Sequence, residues 1–335
     1  MPISTTTDFA KQVQLFLCDY LPSQRNYSRN TISSYRDTLK LFVRFLIEEK
    51  HRAIARFQMK DFTRELVLEF LQHIGTSCCP STVNNRLSSL KSFAEFCQSD
   101  CMDELSSLIH ISNIKQLRTE RKVVQFLDKE TISKVINLPD ISDFKGLRHR
   151  VILCTLYDTG ARVQELCDIT LKDLYLDSKS PHVTLHGKGF KVRMVPITDE
   201  LASLLRGYVK RLRGYRSQPD SWLITNKNGA KMSRDGVDYI VKKYFALAFP
   251  NSTQRVHPHI FRHSKASHLL AAGLPIVYIR DFLGHADLET TMIYAKADTE
   301  LKSKAINALA PKIVGEELLQ DWNNDGDLMD FLNTI

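Results

Sequence analysis

The sequence predicts a mainly α-helical chain with a small antiparallel β-sheet, organised as two domains. Three observations carry that expectation. At 335 residues the chain is longer than one hydrophobic core of ordinary size organises. Most of its length carries apolar residues at helical spacing, and one stretch near the middle reads as a β-hairpin. With 43% apolar and 25% charged residues, its composition is that of a globular protein.

Residues 1–114 read as a helical domain. In NTISSYRDTLKLFVRFLIEEK, Ile32, Tyr35, Leu39, Phe42 and Leu46 recur at steps of three and four, which stacks them on one buried face. STVNNRLSSLKSFAEFC repeats the pattern with Val83, Leu87, Leu90, Ala94 and Cys97, and Ser81 is placed to cap this helix after Pro80. The opposite face of the second helix carries Asn84, Asn85, Ser88 and Lys91, with no acid before Glu95. Small amides, hydroxyls and amines suit phosphates and base edges, and they suit plain solvent equally well.

The polar stretch KQLRTERK, residues 115–122, reads as a linker to a second domain over residues 123–312. That domain opens on the helical LDKETISKVINL. It continues to HVTLHGKGFKVRMVPI (182–197), where two β-rich runs flank Gly187-Lys188-Gly189 as in a hairpin turn, and then returns to helices. Residues 313–335 form an acidic tail. There Leu328, Phe331, Leu332 and Ile335 fall on one helical stripe, with Asp327 placed as its N-cap. So short a helix is marginal alone and needs a surface, on its own domain or on a neighbouring protomer, to bury its stripe.

The net charge of +8 is unevenly spread. Residues 121–314 carry 31 Lys and Arg against 19 Asp and Glu, whereas residues 315–335 carry six acids and no base. A basic body points to a polyanionic partner, with nucleic acid foremost. The seven cysteines include no CxxC pair, which fits reduced thiols in the cytoplasm. MPISTTTDFAKQ lacks a basic segment followed by an apolar one, and no run reaches the roughly 18 apolar residues of a membrane span. A cytoplasmic protein without membrane contact is expected.

Four stretches concentrate polar residues that apolar packing does not select: TGARVQEL (159–166), HGKG (186–189), HPHIFRHSKASHLLAAG (257–273) and LGHADLETTMIYA (283–295). His259 and His263, four apart, suggest a metal pair, but Ile260 stands where a zinc protease needs glutamate. DWNNDG in the tail opens like a calcium loop, but Leu332 occupies the position of the bidentate glutamate. No GxxxxGK[ST] is present, and Gly187-Lys188-Gly189 lies in a hairpin instead of opening a helix. Neither a metal nor a cofactor is expected.

Phosphodiester chemistry fits better. Two guanidinium forks, Arg162 and Arg262, suit the non-bridging oxygens on which charge accumulates. A tyrosine hydroxyl titrates near ~10, so a cationic site helps Tyr294 act as a nucleophile at neutral pH. Lys188 on a turn can protonate a leaving sugar oxygen, and His259 and His285 suit proton transfer near neutrality.

These stretches resemble the catalytic domain of the tyrosine recombinase, or phage integrase, family. TGARVQEL is similar to the family's TGxRxxEL, HGKG to its hairpin lysine turn, His259, Arg262 and His263 to HxxRH, and His285 and Tyr294 to LGHxxxxTTxxYA. The resemblance covers roughly residues 120–310, and the N-terminal block is similar to the family's helical, SAM-like core-binding domain. It implies a two-domain DNA clamp, pairing that domain with an α+β catalytic domain. It also implies a site-specific DNA recombinase acting through a 3′-phosphotyrosyl intermediate. The N-terminal block and acidic tail point to movement of a mobile element rather than chromosome-dimer resolution. The catalytic set would be Arg162, Lys188, His259, Arg262, His285 and the nucleophile Tyr294. Glu165 would orient Arg162 or His259, and His263 would be a buried hydrogen-bonding residue. The implied partner is double-stranded DNA carrying a recombination site, bound by a dimer per core site and a tetrameric synapse in which the tail would dock on a neighbouring protomer. Two other readings share these features: a DNA-binding regulator with a degraded site, and a type IB topoisomerase-like relaxing enzyme.

Overall fold

The computed structural model describes residues 7–119, 125–187, 191–212, 218–285 and 287–297. The chain divides into two units, Met1–Lys122 and Val123–Ile335. Each has a hydrophobic core of its own.

The first unit is all helical: α1 (Asp8–Leu15), a π-helical continuation over Phe16–Gln24, α2 (Arg29–Glu48), α3 (Arg64–Gly75), α4 (Pro80–Cys97) and α5 (Leu105–Ser112). Thr7, Ser28 and Thr63 each accept from a first-turn N–H of the helix that follows, which is why α1, α2 and α3 begin where they do. The core is aromatic: Phe9, Phe16, Phe42, Phe62, Phe70 and Phe93 are all fully buried. The rings meet edge to face, as Phe42 and Phe70 do at 5.3 Å. Of the stripe expected in α2, Leu39, Phe42 and Leu46 are buried, while Ile32 and Tyr35 are partly covered. Every stripe residue expected in α4 is buried. The α4 cap differs from expectation. Cys79 occupies that position and Ser81 lies inside the helix, because Pro80 has no N–H to satisfy and its fixed φ already suits the first helical position.

The second unit holds α6 (Lys129–Asn137), α7 (Phe144–Thr159), α8 (Val163–Cys167), β1 (Leu174–Tyr175), β2 (His182–His186), β3 (Val192–Pro196), α9 (Asp199–Leu212), α10 (Arg234–Ala248), α11 (Pro258–Ala271), α12 (Ile276–Leu283) and α13 (Glu289–Ala297). The sheet is antiparallel in the order β1-β2-β3, with Val183 opposite Val195 and His186 opposite Val192. The hairpin therefore stands where the glycine turn predicts it. The two-residue β1 is too short to leave a pattern in the sequence.

Helix α7 threads the core: Leu147, Val151, Ile152, Leu153 and Leu156 are all buried. Buried Asp158 near its end accepts from Lys265 of α11 at 2.9 Å and from the Thr198 backbone N–H at 2.8 Å, which pins three segments together. Both α7 and α12 end on glycines in the left-handed region, Gly160 at φ 56° and Gly284 at φ 65°. Among the described residues, no helix is long and apolar enough to cross a membrane.

Candidate active site

The C-terminal end of α12 collects three arginines. The last carbonyls of a helix lack intrahelical partners and carry partial negative charge, so they attract guanidinium groups. Here three successive carbonyls each take a different one. Arg193 Nε donates to Phe282 O at 3.1 Å, Arg262 Nη2 to Leu283 O at 2.7 Å, and Arg162 Nη2 to Gly284 O at 3.3 Å. The next residue is His285.

Arg262 is only 3% exposed, and its Nη1 donates to the Gly160 carbonyl at 2.7 Å. Its planar fork thus spans the ends of α7 and α12. The two ends also touch: a Cβ on Gly160 would stand 2.9 Å from Leu283 Cδ2 and 3.3 Å from the Phe282 ring.

Glu165 is the anionic counterpart, and it is likewise buried. Its Oε2 accepts from the Arg162 backbone N–H and its Oε1 from Arg162 Nη1, both at 2.8 Å. Arg193 adds two bonds, 2.9 Å to Oε1 and 2.7 Å to Oε2. Burial raises the carboxyl pKa, but the bonds and charge of Arg193, followed by the bonds from Arg162, outweigh it and hold the value at about 2. One carboxylate between two guanidiniums leaves the trio with a net positive charge.

The histidines next to these cations are held towards their neutral forms. Burial, then Arg262, Arg162 and Arg193, push His285 down to about 4, so its ring is neutral at pH 7. Its Nδ1 lies 2.8 Å from the hydroxyl of Thr291, which is fully buried at the start of α13. Desolvation, His257, Arg262 and Arg162 also hold His259 below its ordinary value. His263 is pushed to about 4, chiefly by burial. His257 precedes α11 at the cap position, and Pro258 takes the first turn. Among the described residues, no group of three or more His, Cys, Asp or Glu is placed to hold a metal ion.

A cleft of about 660 Å³ opens over this constellation, lined by Arg162, Gly187, Lys191, Arg193, Gly284 and His285. Residues scattered through the sequence, Arg162, Glu165, Arg262 and His285, converge beside it, and the charges of Arg162 and Arg262 also bear on His259. Of the two partners expected for Glu165, Arg162 is the one it bonds. Lys188 lies outside the described residues; Gly187 beside it faces the cleft. Tyr294 has its backbone in α13, one turn after Thr291, and its side chain lies outside the described residues. The tail from 313 onward lies outside them as well.

Sequence reasoning missed Arg193 and Thr291. The sequence carried no usable signal for Arg193: it shares the inward face of β3 with buried Val195, while its apolar neighbours Val192 and Met194 are 57% and 71% exposed. An arginine on the inward register of a strand needs an acid opposite it, and Glu165 is that acid.

The polar face of α4 divides. Asn84 holds the Leu117 backbone in both directions at 2.8 Å, and Ser88 accepts from Gln116 at 3.2 Å, so both fasten the segment that follows α5. Asn85 stays exposed and Lys91 is half-buried.

Residues 125–300 match the phage integrase family, and residues 13–99 match the phage integrase N-terminal SAM-like domain. A tyrosine recombinase XerC of Staphylococcus haemolyticus is 30% identical over 299 residues, covering 89% of this chain and 97% of that protein. The fold is similar to that of the XerH site-specific recombinase in a post-cleavage complex with its palindromic difH substrate. That likeness has a TM-score of 0.69 at 20% identity, over 91% of this chain and 90% of the other. It is also similar to the Tn1549 transposon integrase in complex with transposon right end DNA, with a TM-score of 0.66 at 18% identity, over 90% of this chain and 99% of the other.

Proposed function

The chain belongs to the phage integrase family, and we propose from that premise that Arg162, Lys188, His259, Arg262, His285 and Tyr294 are its catalytic set. It is a site-specific tyrosine recombinase, an enzyme that cleaves and rejoins DNA. The observation that carries the residue assignment is the seating of Arg162 and Arg262 on adjacent carbonyls of one helix end, next to His285.

In the proposed reaction the Tyr294 oxygen attacks the scissile phosphorus. The bond to the 5′-oxygen breaks, and a 3′-phosphotyrosyl link forms. Arg162 and Arg262 hold the non-bridging oxygens as negative charge builds on them. In the tautomer whose Nδ1 accepts from the Thr291 hydroxyl, the neutral His285 ring donates from Nε2 in a hydrogen bond to the same phosphate. Lys188 gives a proton to the departing 5′-oxygen, and His259 assists the proton transfers by taking up the proton that the Tyr294 hydroxyl loses. The phosphotyrosyl bond conserves the energy of the one broken, so a 5′-hydroxyl from a second strand reseals the DNA without ATP. Glu165 orients Arg162, and His263, half-buried beside Arg262, is a hydrogen-bonding residue and not a catalyst.

The proposed partner is duplex DNA carrying a specific site, bound by two copies per core site and four in a synapse. The Asn84, Asn85, Ser88 and Lys91 face of α4 is assigned to the DNA side, Asn84 and Ser88 acting there through their hold on residues 116–117. The acidic tail docks on a neighbouring protomer. A chain ended at Val314 then binds one half-site but assembles poorly into synaptic complexes, and normal assembly would refute the docking. The acidic tail favours movement of a mobile element over chromosome-dimer resolution, and the enzyme works in the cytoplasm.

Incubation with a suicide DNA duplex in chelator tests the reading. A covalent protein–DNA adduct is expected, and it is lost in Tyr294→Phe. No adduct on any cognate site would refute it, and activity only with a divalent ion would identify a nuclease instead. Relaxation of plasmids without sequence preference would favour the topoisomerase-like reading.

A further inference from the structure

Arg193 stands outside the catalytic set, yet its side chain joins three segments that carry it. It projects from β3, the strand that follows Lys188 in the chain. Its two Nη atoms hold Glu165, which in turn holds Arg162. Its Nε sits on the Phe282 carbonyl, three residues before His285. The side chain is 13% exposed, and a Cβ on Gly284 would meet its Cδ and Nη1 at 3.0 Å, so the backbone leading to His285 closes directly over it.

The charge arithmetic gives this contact a consequence. With Glu165 alone, Arg162 would form a closed, neutral pair, and a carboxylate one bond behind the phosphate-binding group would repel an incoming phosphate. A second guanidinium on the same two oxygens cancels that repulsion and fixes the carboxylate plane, to which the Arg162 fork is bonded. We propose that Arg193 is a positioning residue for strand cleavage: by sharing Glu165 it keeps the Arg162 guanidinium aimed into the cleft with its charge available to the scissile phosphate. This role rests on the recombinase reading of the cleft.

The test compares single-turnover cleavage of a suicide duplex with cleavage of the same duplex bearing a methylphosphonate at the scissile position. The methylphosphonate is neutral and does not need the guanidinium charge. Arg193→Met should slow cleavage of the ordinary phosphodiester about 100-fold, but that of the methylphosphonate by about threefold at most. Adding Glu165→Gln to Arg193→Met should restore part of the lost rate, since the uncompensated carboxylate is then gone. Equal losses on both substrates would mark Arg193 as merely structural and overturn the proposal, as would an unchanged rate. If Arg193→Met does not fold, the ratio between the two substrates measured on Arg193→Lys decides in the same way. No adduct with the unmodified protein would overturn the recombinase reading and this inference together, whereas a full rate in Arg193→Met would overturn this inference alone.

Discussion

Arg162 and Arg262 donate to neighbouring carbonyls at the end of α12, Gly284 at 3.3 Å and Leu283 at 2.7 Å. A helix end is a rigid fixture, so two guanidiniums from distant parts of the chain are held in a fixed relation before any DNA arrives. Stabilisation of a charged transition state is most effective when the donors need not reorganise during the reaction. The carbonyl comb supplies that condition here.

Arg262→Lys tests the comb. A lysine keeps the charge but cannot seat on the Gly160 and Leu283 carbonyls with a planar fork. Cleavage of a suicide duplex should fall at least about 100-fold. Urea unfolding should show stability lower by about 1–3 kcal/mol, because a buried acceptor loses its partner. Wild-type cleavage by this variant would refute the placement of Arg262 on the phosphate.

Gly160→Ala strains the joint between α7 and α12. The position is left-handed, and the new Cβ would stand 2.9 Å from Leu283 Cδ2. The backbone penalty and the overpacking together should lower stability by about 2–3 kcal/mol, read from the urea midpoint. Cleavage should fall too, since the displaced carbonyl is one of the two that hold Arg262. A variant as stable as the parent would contradict the packing described here.

Thr291→Val keeps the shape of a fully buried side chain and removes the hydroxyl at 2.8 Å from His285 Nδ1. With its orienting partner gone, His285 should support cleavage about 10-fold less well, while half-site affinity stays unchanged. Gel-shift and cleavage assays on the same preparation separate the two quantities. Equal loss of binding and cleavage would point to a folding defect instead.

His149 predicts an acid limit to stability. The ring is 4% exposed, with Nδ1 3.0 Å from the Tyr244 hydroxyl, and burial with nearby Arg148 pushes its pKa from 6.5 to about 4. The unfolded chain therefore binds a proton at a higher pH than the folded one does. This contribution is complete above pH 6.5 and is lost as the pH falls towards 4, in total about 3 kcal/mol. Urea midpoints across that window should drop less steeply in His149→Leu than in the parent. Parallel curves would disprove the assignment.

The sequence displayed the catalytic stretches because chemistry that needs arginine, histidine and tyrosine at fixed spacings leaves few alternatives at those positions. It displayed α2 and α4 because each buries one face only. Helix α7 is apolar on several sides and so carries no single stripe from which its orientation can be read. Arg193 stayed hidden because Val192 and Met194, the apolar residues on either side of it, are the ones that face outward. Pattern alone would turn that strand the wrong way round. Glu165 is the inverse case: the sequence marks it as a partner of Arg162 or His259, and only the fold reveals that it is buried and shared with Arg193.

Mapping the DNA-linked peptide tests the central assignment most directly. The chain contains 11 tyrosines. Protein trapped on a suicide duplex, digested with protease and sequenced by mass spectrometry should carry the nucleotide adduct on the peptide containing Tyr294 and on no other. An adduct on a different tyrosine, or on a serine, would contradict the assignment of the nucleophile.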